Sequence, residues 1–282
     1  MRIWTRRRFL GALLLGGGGV AADMALIEPH ALRTIELDVP LSSGPRPEPL
    51  RLLHMSDFHA SECVSLEFLE RAVRLGLETK PDLICLTGDF ISWQWTEWPA
   101  FADVLRLLSA AAPTFAVLGN HDGGPWAASS RNNGYGDATL VRELLRSAGI
   151  TLLHNASQPL QIRGRNLLMT GVGDLYNREV DAEQAFARVA ESGAATILLN
   201  HNPDAKTLVA DRPWDLMLCG HTHGGQCQIP FIGAPFAPVK DLRFLEGLRR
   251  WNDRWIHVTR GVGNLHGLRF NCRPEVNLLR LF

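Results

Sequence analysis

Five short motifs contain the residues of this sequence that are best suited to chemistry. In chain order they are Asp57-Phe58-His59, Gly88-Asp89, Gly119-Asn120-His121-Asp122, Asn200-His201 and Gly220-His221-Thr222-His223. Their side chains offer carboxylate and amide oxygens together with imidazole nitrogens, a mixture that favours borderline ions such as Mn²⁺, Fe²⁺ or Zn²⁺. We therefore predict a site for two divalent metal ions, a kind of site that typically catalyses the hydrolysis of phosphate esters.

The residue types also indicate how such a site would work. A carboxylate has two oxygens and can bridge two cations, and Asp89 is our candidate for that bridge. Two such ions, ~3.5–4 Å apart, would bind the phosphate oxygens and hold a hydroxide between them as the nucleophile. The other predicted metal ligands are Asp57, His59, Asn120, His201, His221 and His223.

His121 lies beside Asn120 and is left over from this set of ligands. We predict that it donates a proton or a hydrogen bond to the leaving-group oxygen, a contribution typically worth about 10²–10⁴-fold in rate. Asp122, the next residue, would orient the imidazole or hold it protonated. The predicted catalytic residues are therefore His121 and Asp122.

Each motif taken singly has a simpler explanation. Asp-x-His and Gly-Asp are common in polar loops, residues 120–122 would fit a tight turn between two glycines, and His201 precedes an Asn-Pro pair that is able to begin a helix. The joint occurrence outweighs these explanations, because all five motifs come in order and each follows an apolar run. Two histidines in a glycine-rich loop also serve no packing purpose.

The apolar runs before the motifs predict the elements that position the ligands. The strand–helix–strand pattern of the first half is typical of a parallel sheet with covering helices. We predict an α/β fold, an α+β four-layer sandwich in which two stacked mixed β-sheets are flanked by helices. The predicted strands are 33–39, 50–55, 83–87, 114–118, 152–153, 160–162, 167–172, 195–199, 216–219, 255–259 and 276–281, and the predicted helices are 64–77, 98–111, 138–148 and 182–191.

The N-terminal residues have the pattern of an export signal. Arg6, Arg7 and Arg8 precede a short, glycine-rich apolar run that ends at Ala22, as in a twin-arginine signal peptide. The run is short for a membrane span of ~20 apolar residues, and an uncleaved N-terminal anchor is the alternative. We predict a signal peptide or anchor over 1–22, a spacer with one strand over 23–49 and one domain over 50–282. Export by the twin-arginine machinery would place the protein in the periplasm, in the cell envelope or at the outer face of the inner membrane.

The composition is that of an ordinary globular protein. Of the 282 residues 46% are hydrophobic, and 29 Lys and Arg residues balance 29 Asp and Glu residues. The charge therefore gives no reason to expect a nucleic-acid partner. The five cysteines are an odd number without close pairing, which argues against a disulfide framework and against a thiolate zinc site.

The order of the motifs resembles that of the calcineurin-like metallophosphoesterase superfamily, from about Leu50 to the C-terminus. The resemblance implies the metallophosphatase fold, a phosphoesterase activity and two metal ions with a shared ligand. It also implies that His121 is the residue that assists catalysis. In that family's pattern one ion is held by Asp57, His59, Asp89 and His223, and the other by Asp89, Asn120, His201 and His221.

A narrower likeness is to exported or membrane-associated bacterial phosphodiesterases of this superfamily. Residues 220–226 and 260–263 carry it, with the sequences Gly-His-Thr-His-Gly-Gly-Gln and Arg-Gly-Val-Gly. Some relatives act on UDP-2,3-diacylglucosamine, so a pyrophosphatase for lipid-linked substrates at the membrane is the alternative to a general phosphodiesterase. A non-catalytic scaffold on the same fold is an alternative of another class, although the intact ligand set speaks against it.

The substrate is expected to be a small phosphate ester or a lipid-linked one. Four tryptophans in the loops after Asp89 and Asp122 bear on this question. They either pack in the core or form an apolar lip that contacts a lipid, an aryl group or a membrane surface. These residues are Trp93, Trp95, Trp98 and Trp126.

Overall fold

Two six-stranded sheets form the centre of the protein in the computed structural model, which describes residues 18–41, 48–187 and 194–282. The strands are β1 (Arg33–Val39), β2 (Leu50–Met55), β3 (Leu83–Thr87), β4 (Thr114–Val117), β5 (Thr151–Leu152), β6 (Ala156–Ile162), β7 (Arg165–Gly171), β8 (Ala195–Leu199), β9 (Leu216–Cys219), β10 (Gly247–Trp251), β11 (Arg254–Val258) and β12 (Glu275–Leu281). The first sheet has the order β1-β12-β2-β3-β4-β5, and the second has the order β10-β11-β9-β8-β7-β6. Both sheets contain parallel and antiparallel pairs, so the prediction of two mixed sheets is confirmed.

Helices cover the outer faces of the two sheets. They are α1 (Leu66–Glu78), α2 (Trp98–Ala111), α3 (Thr139–Ser147) and α4 (Ala182–Phe186). Ser65 caps the start of helix α1, because its side chain accepts a hydrogen bond from the backbone N–H of Phe68. The helix predicted over 182–191 ends at Phe186 in the structure, and residues 188–193 lie outside the described part.

Alternation along the strands divides the hydrophobic core into layers. In β2, Leu50 and Leu52 face the space between the sheets, whereas Leu53 and Met55 face the helices. In β9, Leu216 and Leu218 lie between the sheets, while Met217 and Cys219 face outward. This period of two, with apolar residues on both faces, is what a sheet buried on both sides requires. Strand β10 was not predicted, because its sequence Gly-Leu-Arg-Arg-Trp lacks such a pattern.

Strand β1 is the one strand that we predicted within the spacer over 23–49. It pairs in parallel with β12 along its whole length, from Arg33 opposite Glu275 to Val39 opposite Leu281. This strand is therefore part of the first sheet. The twin-arginine motif at residues 5–10 lies outside the described residues. Within the described ranges, no helix is long and apolar enough to cross a membrane.

Candidate metal centre

The five motifs meet at the carboxyl ends of β2, β3, β4, β8 and β9. Backbone hydrogen bonds tie the loops together: the N–H of Asp57 donates to the carbonyl of Gly88 at 2.9 Å, and the N–H of Gly220 donates to that of His201 at 3.0 Å. The seven predicted ligands are all at most 5% exposed. The structure thus brings together, in one buried cluster, the residues Asp57, His59, Asp89, Asn120, His201, His221 and His223.

One group of donor atoms surrounds the Nε2 atom of His59. This nitrogen lies 3.0 Å from Nε2 of His223 and 3.5 Å from Oδ2 of Asp89. The carboxylate of Asp57 completes the group, with its Oδ1 atom 3.5 Å from Nε2 of His223. These residues are the ones that the family pattern implies for one of the two ions.

A second group surrounds the Nε2 atom of His201. This nitrogen lies 3.1 Å from Oδ1 of Asn120, 3.2 Å from Nδ1 of His221 and 3.2 Å from Oδ2 of Asp89. The same Asp89 oxygen therefore faces both groups, which is the position that a bridging carboxylate needs. The other Asp89 oxygen accepts a hydrogen bond from the backbone N–H of His121 at 2.9 Å.

The donor atoms suit divalent cations by spacing and by protonation state. Two ligands that each lie about 2.1 Å from one ion, at a right angle, are about 3 Å apart, close to the separations of 3.0–3.5 Å observed here. Burial lowers the pKa of His59 and of His221 to about 3, and it lowers the pKa of His223 well below the usual value. These imidazoles are therefore neutral near pH 7, which is the form that binds metals.

The carboxylates of the cluster favour a positive charge between them. Burial alone would lower the pKa of His201, but the charge of Asp89 outweighs it and raises that pKa to about 10. Burial raises the pKa of Asp57 to about 7, since desolvation disfavours its charged form. A divalent cation would supply the positive charge that Asp89 otherwise obtains from a proton on His201. The residues present therefore fit a divalent metal centre.

Two oxygen atoms outside the cluster orient the imidazoles of His201 and His59. Nδ1 of His201 donates to the carbonyl of Thr87 at 2.6 Å, which turns Nε2 toward the other ligands. Nδ1 of His59 lies 3.1 Å from the hydroxyl of Ser92. Such contacts fix the orientation and the tautomer of metal-binding histidines. Sequence reasoning missed both Thr87 and Ser92, because neither belongs to a recognisable motif and only their positions, at the end of β3 and in the loop after it, indicate a role.

The loops that carry the ligands have an unusual backbone. Asp57, His59, Asp89, His221 and His223 all have φ between 50° and 70°. This left-handed region is sparsely populated by residues other than glycine and is found at functional sites more often than elsewhere. The loops are also closely packed, since a Cβ atom on Gly88 (φ 88°) would overlap with the backbone of Gly119.

His121 is held beside the ligands by its backbone and its ring. Nδ1 of the ring lies 2.7 Å from the carbonyl of Ser92, to which it donates. The edge of the ring contacts Trp126, with 4.8 Å between ring centroids. The Nε2 side of the imidazole is therefore left to face the cavity that His121 lines.

Asp122 contacts the backbone of the ligand loops instead of the His121 imidazole. Its Oδ2 atom accepts hydrogen bonds from the N–H groups of Asp89 at 2.9 Å and Gly119 at 2.7 Å, and its Oδ1 atom accepts one from Phe90 at 2.6 Å. The group that orients the His121 ring is the Ser92 carbonyl. The prediction that Asp122 orients the imidazole is therefore corrected: this buried carboxylate joins the loops after β3 and β4.

A cavity of about 350 Å³ opens directly onto the cluster. Asp89, Asn120, His121, His221 and His223 form its floor, and its walls are mainly apolar. Among the described residues that line it there is no Lys or Arg. The wall residues include Trp126, Tyr176, Phe236, Pro238 and Leu265.

The four tryptophans that we singled out have different environments. Trp126 lines the cavity, and its ring also contacts Tyr176. Trp95 is buried and Trp98 is partly buried, and both pack with the core on the helix side of the first sheet. Trp93 contacts His266, which lines the cavity. Tyr176 and Phe236 are cavity residues that sequence reasoning missed, because they lie far from the motifs in the chain.

The chain is similar to known proteins over the part that carries the cluster. The model of the calcineurin-like phosphoesterase family matches residues 50–225. Phosphodiesterase YaeI of Escherichia coli is 44% identical over 234 residues, which cover 83% of this chain and 82% of YaeI. The metallophosphoesterase YkuE of Bacillus subtilis is 34% identical over 295 residues, which cover 100% of this chain and 99% of YkuE. UDP-2,3-diacylglucosamine pyrophosphatase LpxG of Chlamydia trachomatis is 27% identical over 302 residues, with 90% of each chain covered.

The family match spans the loops from Asp57 to His223, so it includes every residue of the cluster. The predicted fold, the predicted phosphoesterase activity and the resemblance stated from the motifs are thereby confirmed. Its two mixed sheets carry the cluster of Asp and His side chains at the carboxyl ends of their strands. The chain therefore belongs to the calcineurin-like phosphoesterase family and is a metal-dependent hydrolase of phosphate esters.

Proposed function

We propose that the protein is a two-metal phosphodiesterase whose preferred substrates carry an apolar group on the phosphate. The observation that carries this proposal is the cavity, in which Trp126, Tyr176 and Phe236 line a space that adjoins the predicted metal ligands. Apolar walls bind an aryl or acyl group by excluding water from it. A phosphomonoester has an additional ionisable oxygen, and the lining offers it no Lys or Arg among the described residues.

The seven predicted ligands would form two sets that share Asp89. Asp57, His59 and His223 would hold one ion, Asn120, His201 and His221 would hold the other, and Asp89 would contact both. When bound, such a pair of ions polarises phosphate oxygens and makes water nucleophilic near neutral pH. YaeI, which is named a phosphodiesterase, supports the assignment to diesters.

His121 would serve the leaving group. In the protonated ring both nitrogens carry hydrogen, so Nδ1 donates to the Ser92 carbonyl while Nε2 is available to the oxygen that departs. Trp126 limits the rotation of the ring from one side. Positioned proton donation of this kind is typically worth about 10²–10⁴-fold in rate.

The test is a panel of matched diesters and monoesters assayed with Mn²⁺, Fe²⁺ and Zn²⁺. We expect kcat/KM to be highest for a diester with a bulky apolar group and lowest for the corresponding monoester. Phe236→Ala should reduce the preference for the bulky group, whereas Leu140→Ala, at an exposed site outside the cavity, should not. A monoester that is hydrolysed as fast as the diester would contradict the proposal.

A pyrophosphatase acting on a lipid-linked nucleotide is the second candidate. The similarity to LpxG over 90% of both chains favours it, as does the apolar cavity. UDP-2,3-diacylglucosamine therefore belongs in the same panel, and its turnover at a rate above that of simple diesters would favour this candidate. A non-catalytic scaffold is disfavoured by the complete ligand cluster and by His121 beside it.

We further propose export by the twin-arginine route and residence in the periplasm, in the cell envelope or at the outer face of the inner membrane. The support is the sequence Arg6-Arg7-Arg8 before the apolar run. Replacing these three residues with Lys should retain the precursor in the cytoplasm. Unchanged fractionation of the triple variant would contradict the proposed route.

A further inference from the structure

We propose that the protein docks on a lipid bilayer through an apolar face at the mouth of the cavity. Six of the large hydrophobic side chains that are exposed in the described residues belong to this face, which we term the docking face. Its members are Leu26, Ile27, Phe231, Ile232, Phe236 and Leu268. The inference concerns where the enzyme works and does not depend on which ester it hydrolyses.

The most exposed part of the docking face is a well-ordered turn. Ile229 accepts hydrogen bonds from the N–H groups of Ile232 at 3.1 Å and Gly233 at 2.8 Å. The side chain of Phe231 at the tip is as exposed as in an isolated peptide (109%), and that of Ile232 is 70% exposed. A turn that is fixed by its backbone and presents a phenyl ring and a branched aliphatic chain to solvent is suited to insertion into an apolar medium.

The turn can enter a bilayer without burying a charge. The segment 226–239 has the sequence Gln-Cys-Gln-Ile-Pro-Phe-Ile-Gly-Ala-Pro-Phe-Ala-Pro-Val and contains no Asp, Glu, Lys, Arg or His. A charged side chain in the hydrocarbon would be costly. The first basic residue after the turn, Lys240, is exposed and follows the apolar segment directly. Contact with lipid should therefore depend on apolar insertion more than on anionic headgroups.

The N-terminal segment of the described chain reaches the same face. The N–H of Arg269 donates to the carbonyl of Met24 at 3.0 Å, and the N–H of Gln228 donates to the carbonyl of Phe270 at 2.8 Å. The turn and the segment before Glu28 therefore lie on either side of residues 269–271. Leu26 is 71% exposed and Ile27 61% exposed, and residues 23–25 separate them from the end of the apolar run of the predicted signal or anchor at Ala22.

The docking face is continuous with the catalytic cavity. Phe236 is 76% exposed at the surface and also lines the cavity, together with Cys227 and Leu265 from the neighbouring segments. An apolar group of a bilayer lipid would therefore pass from the membrane to the wall of the cavity along the side chains of Phe236 and Leu265. The alternative occupant is a second copy of this chain, which self-association in solution would reveal.

The test uses the full chain and neutral phosphatidylcholine vesicles, with no substrate present. Phe231→Ser combined with Ile232→Ser should reduce the partition coefficient by about 100-fold, because each of the two buried apolar side chains contributes about ten-fold or more. Leu140→Ser, a change of an exposed residue on α3 that lies outside the docking face, should leave it unaltered. Vesicle binding of the double variant equal to that of the unmodified protein would overturn the proposal.

A second readout separates insertion by the turn from anchoring by the N-terminal run. Phe231→Trp should show additional fluorescence quenching by lipids brominated on the acyl chains, whereas Leu140→Trp should show none. Equal quenching in the two variants would overturn the proposal, and so would a loss of self-association, measured by sedimentation, without loss of vesicle binding. Hydrolysis of a water-soluble diester by the Phe231→Ser, Ile232→Ser variant should be unchanged, so a failure of the proposed phosphodiesterase function would be seen separately.

Discussion

Asp122 holds the loops after β3 and β4 together through hydrogen bonds to their backbone, and Asp122→Asn tests that role. The carboxylate accepts three hydrogen bonds from buried N–H groups, two of them on Oδ2. In the Asn variant one oxygen becomes an NH₂ group, which is unable to accept. The less costly orientation of the amide keeps its oxygen in place of Oδ2 and puts the NH₂ group in place of Oδ1, so the N–H of Phe90 loses its acceptor. A buried donor without a partner costs about 1–3 kcal/mol, so we expect the free energy of unfolding to fall by about that amount.

The loops that Asp122 joins carry Asp89 and Asn120, so the same change should weaken metal binding. We expect less metal per protein by elemental analysis, together with a lower midpoint in urea denaturation. Asp215→Asn is the control, because that exposed carboxylate accepts a backbone hydrogen bond from Thr196, in the second sheet. An Asp122→Asn variant with full stability and full metal content, but with a reduced kcat, would refute this reasoning and support a direct role beside His121.

Three further predictions concern other parts of the chain. Asp89→Asn should lower the content of both metals, and loss of only one equivalent would show that Asp89 does not bridge. His121→Gln should keep its metals but lower kcat by about 10²–10⁴-fold for esters with a poor leaving group, and much less for an activated aryl ester that needs no proton. Burial lowers the pKa of His257 in the folded protein to about 3, so the unfolded chain takes up a proton first as the pH falls below about 6.5. His257 should therefore account for about 2 kcal/mol of the fall in the free energy of unfolding between pH 7 and pH 5, and in His257→Asn the fall should be smaller by that amount in urea titrations at the two pH values.

The metal centre could be predicted from the sequence because its residue types are rare in combination and each follows a strong strand signal. The seven predicted ligands required no knowledge of side-chain direction, since parallel strands bring their carboxyl ends to one edge. The direction of the Asp122 side chain was not predictable in this way. Its position beside His121 in the chain suggested a partnership, but the backbone turns the carboxylate toward the N–H groups of Asp89 and Phe90. Adjacency in sequence does not determine which way a loop side chain points.

The fold was predictable wherever burial imposes a repeating pattern. Strands β2, β3, β8 and β9 are buried and apolar on both faces, and their bounds agree with the prediction within one residue. Strand β10 has exposed Arg249 and Arg250 at its centre, and its pairing with β11 alone decides its conformation. The cavity walls were also beyond prediction, because Trp126, Tyr176 and Phe236 meet only through tertiary structure.

The left-handed backbone of the ligand loops is unfavourable, so residues that bind no metal are needed around the metal centre to stabilise it. Five ligand residues adopt φ between 50° and 70°, and a conformation of this kind costs of order 1 kcal/mol or more for each residue. Their sum, about 5 kcal/mol, approaches the whole stability of an ordinary domain. The loops therefore persist because buried hydrogen bonds to Asp122, Ser92 and Thr87 offset that cost. Substitution of Asp122, or loss of the Ser92 hydroxyl that lies 3.1 Å from Nδ1 of His59, should consequently reduce metal affinity without touching a ligand.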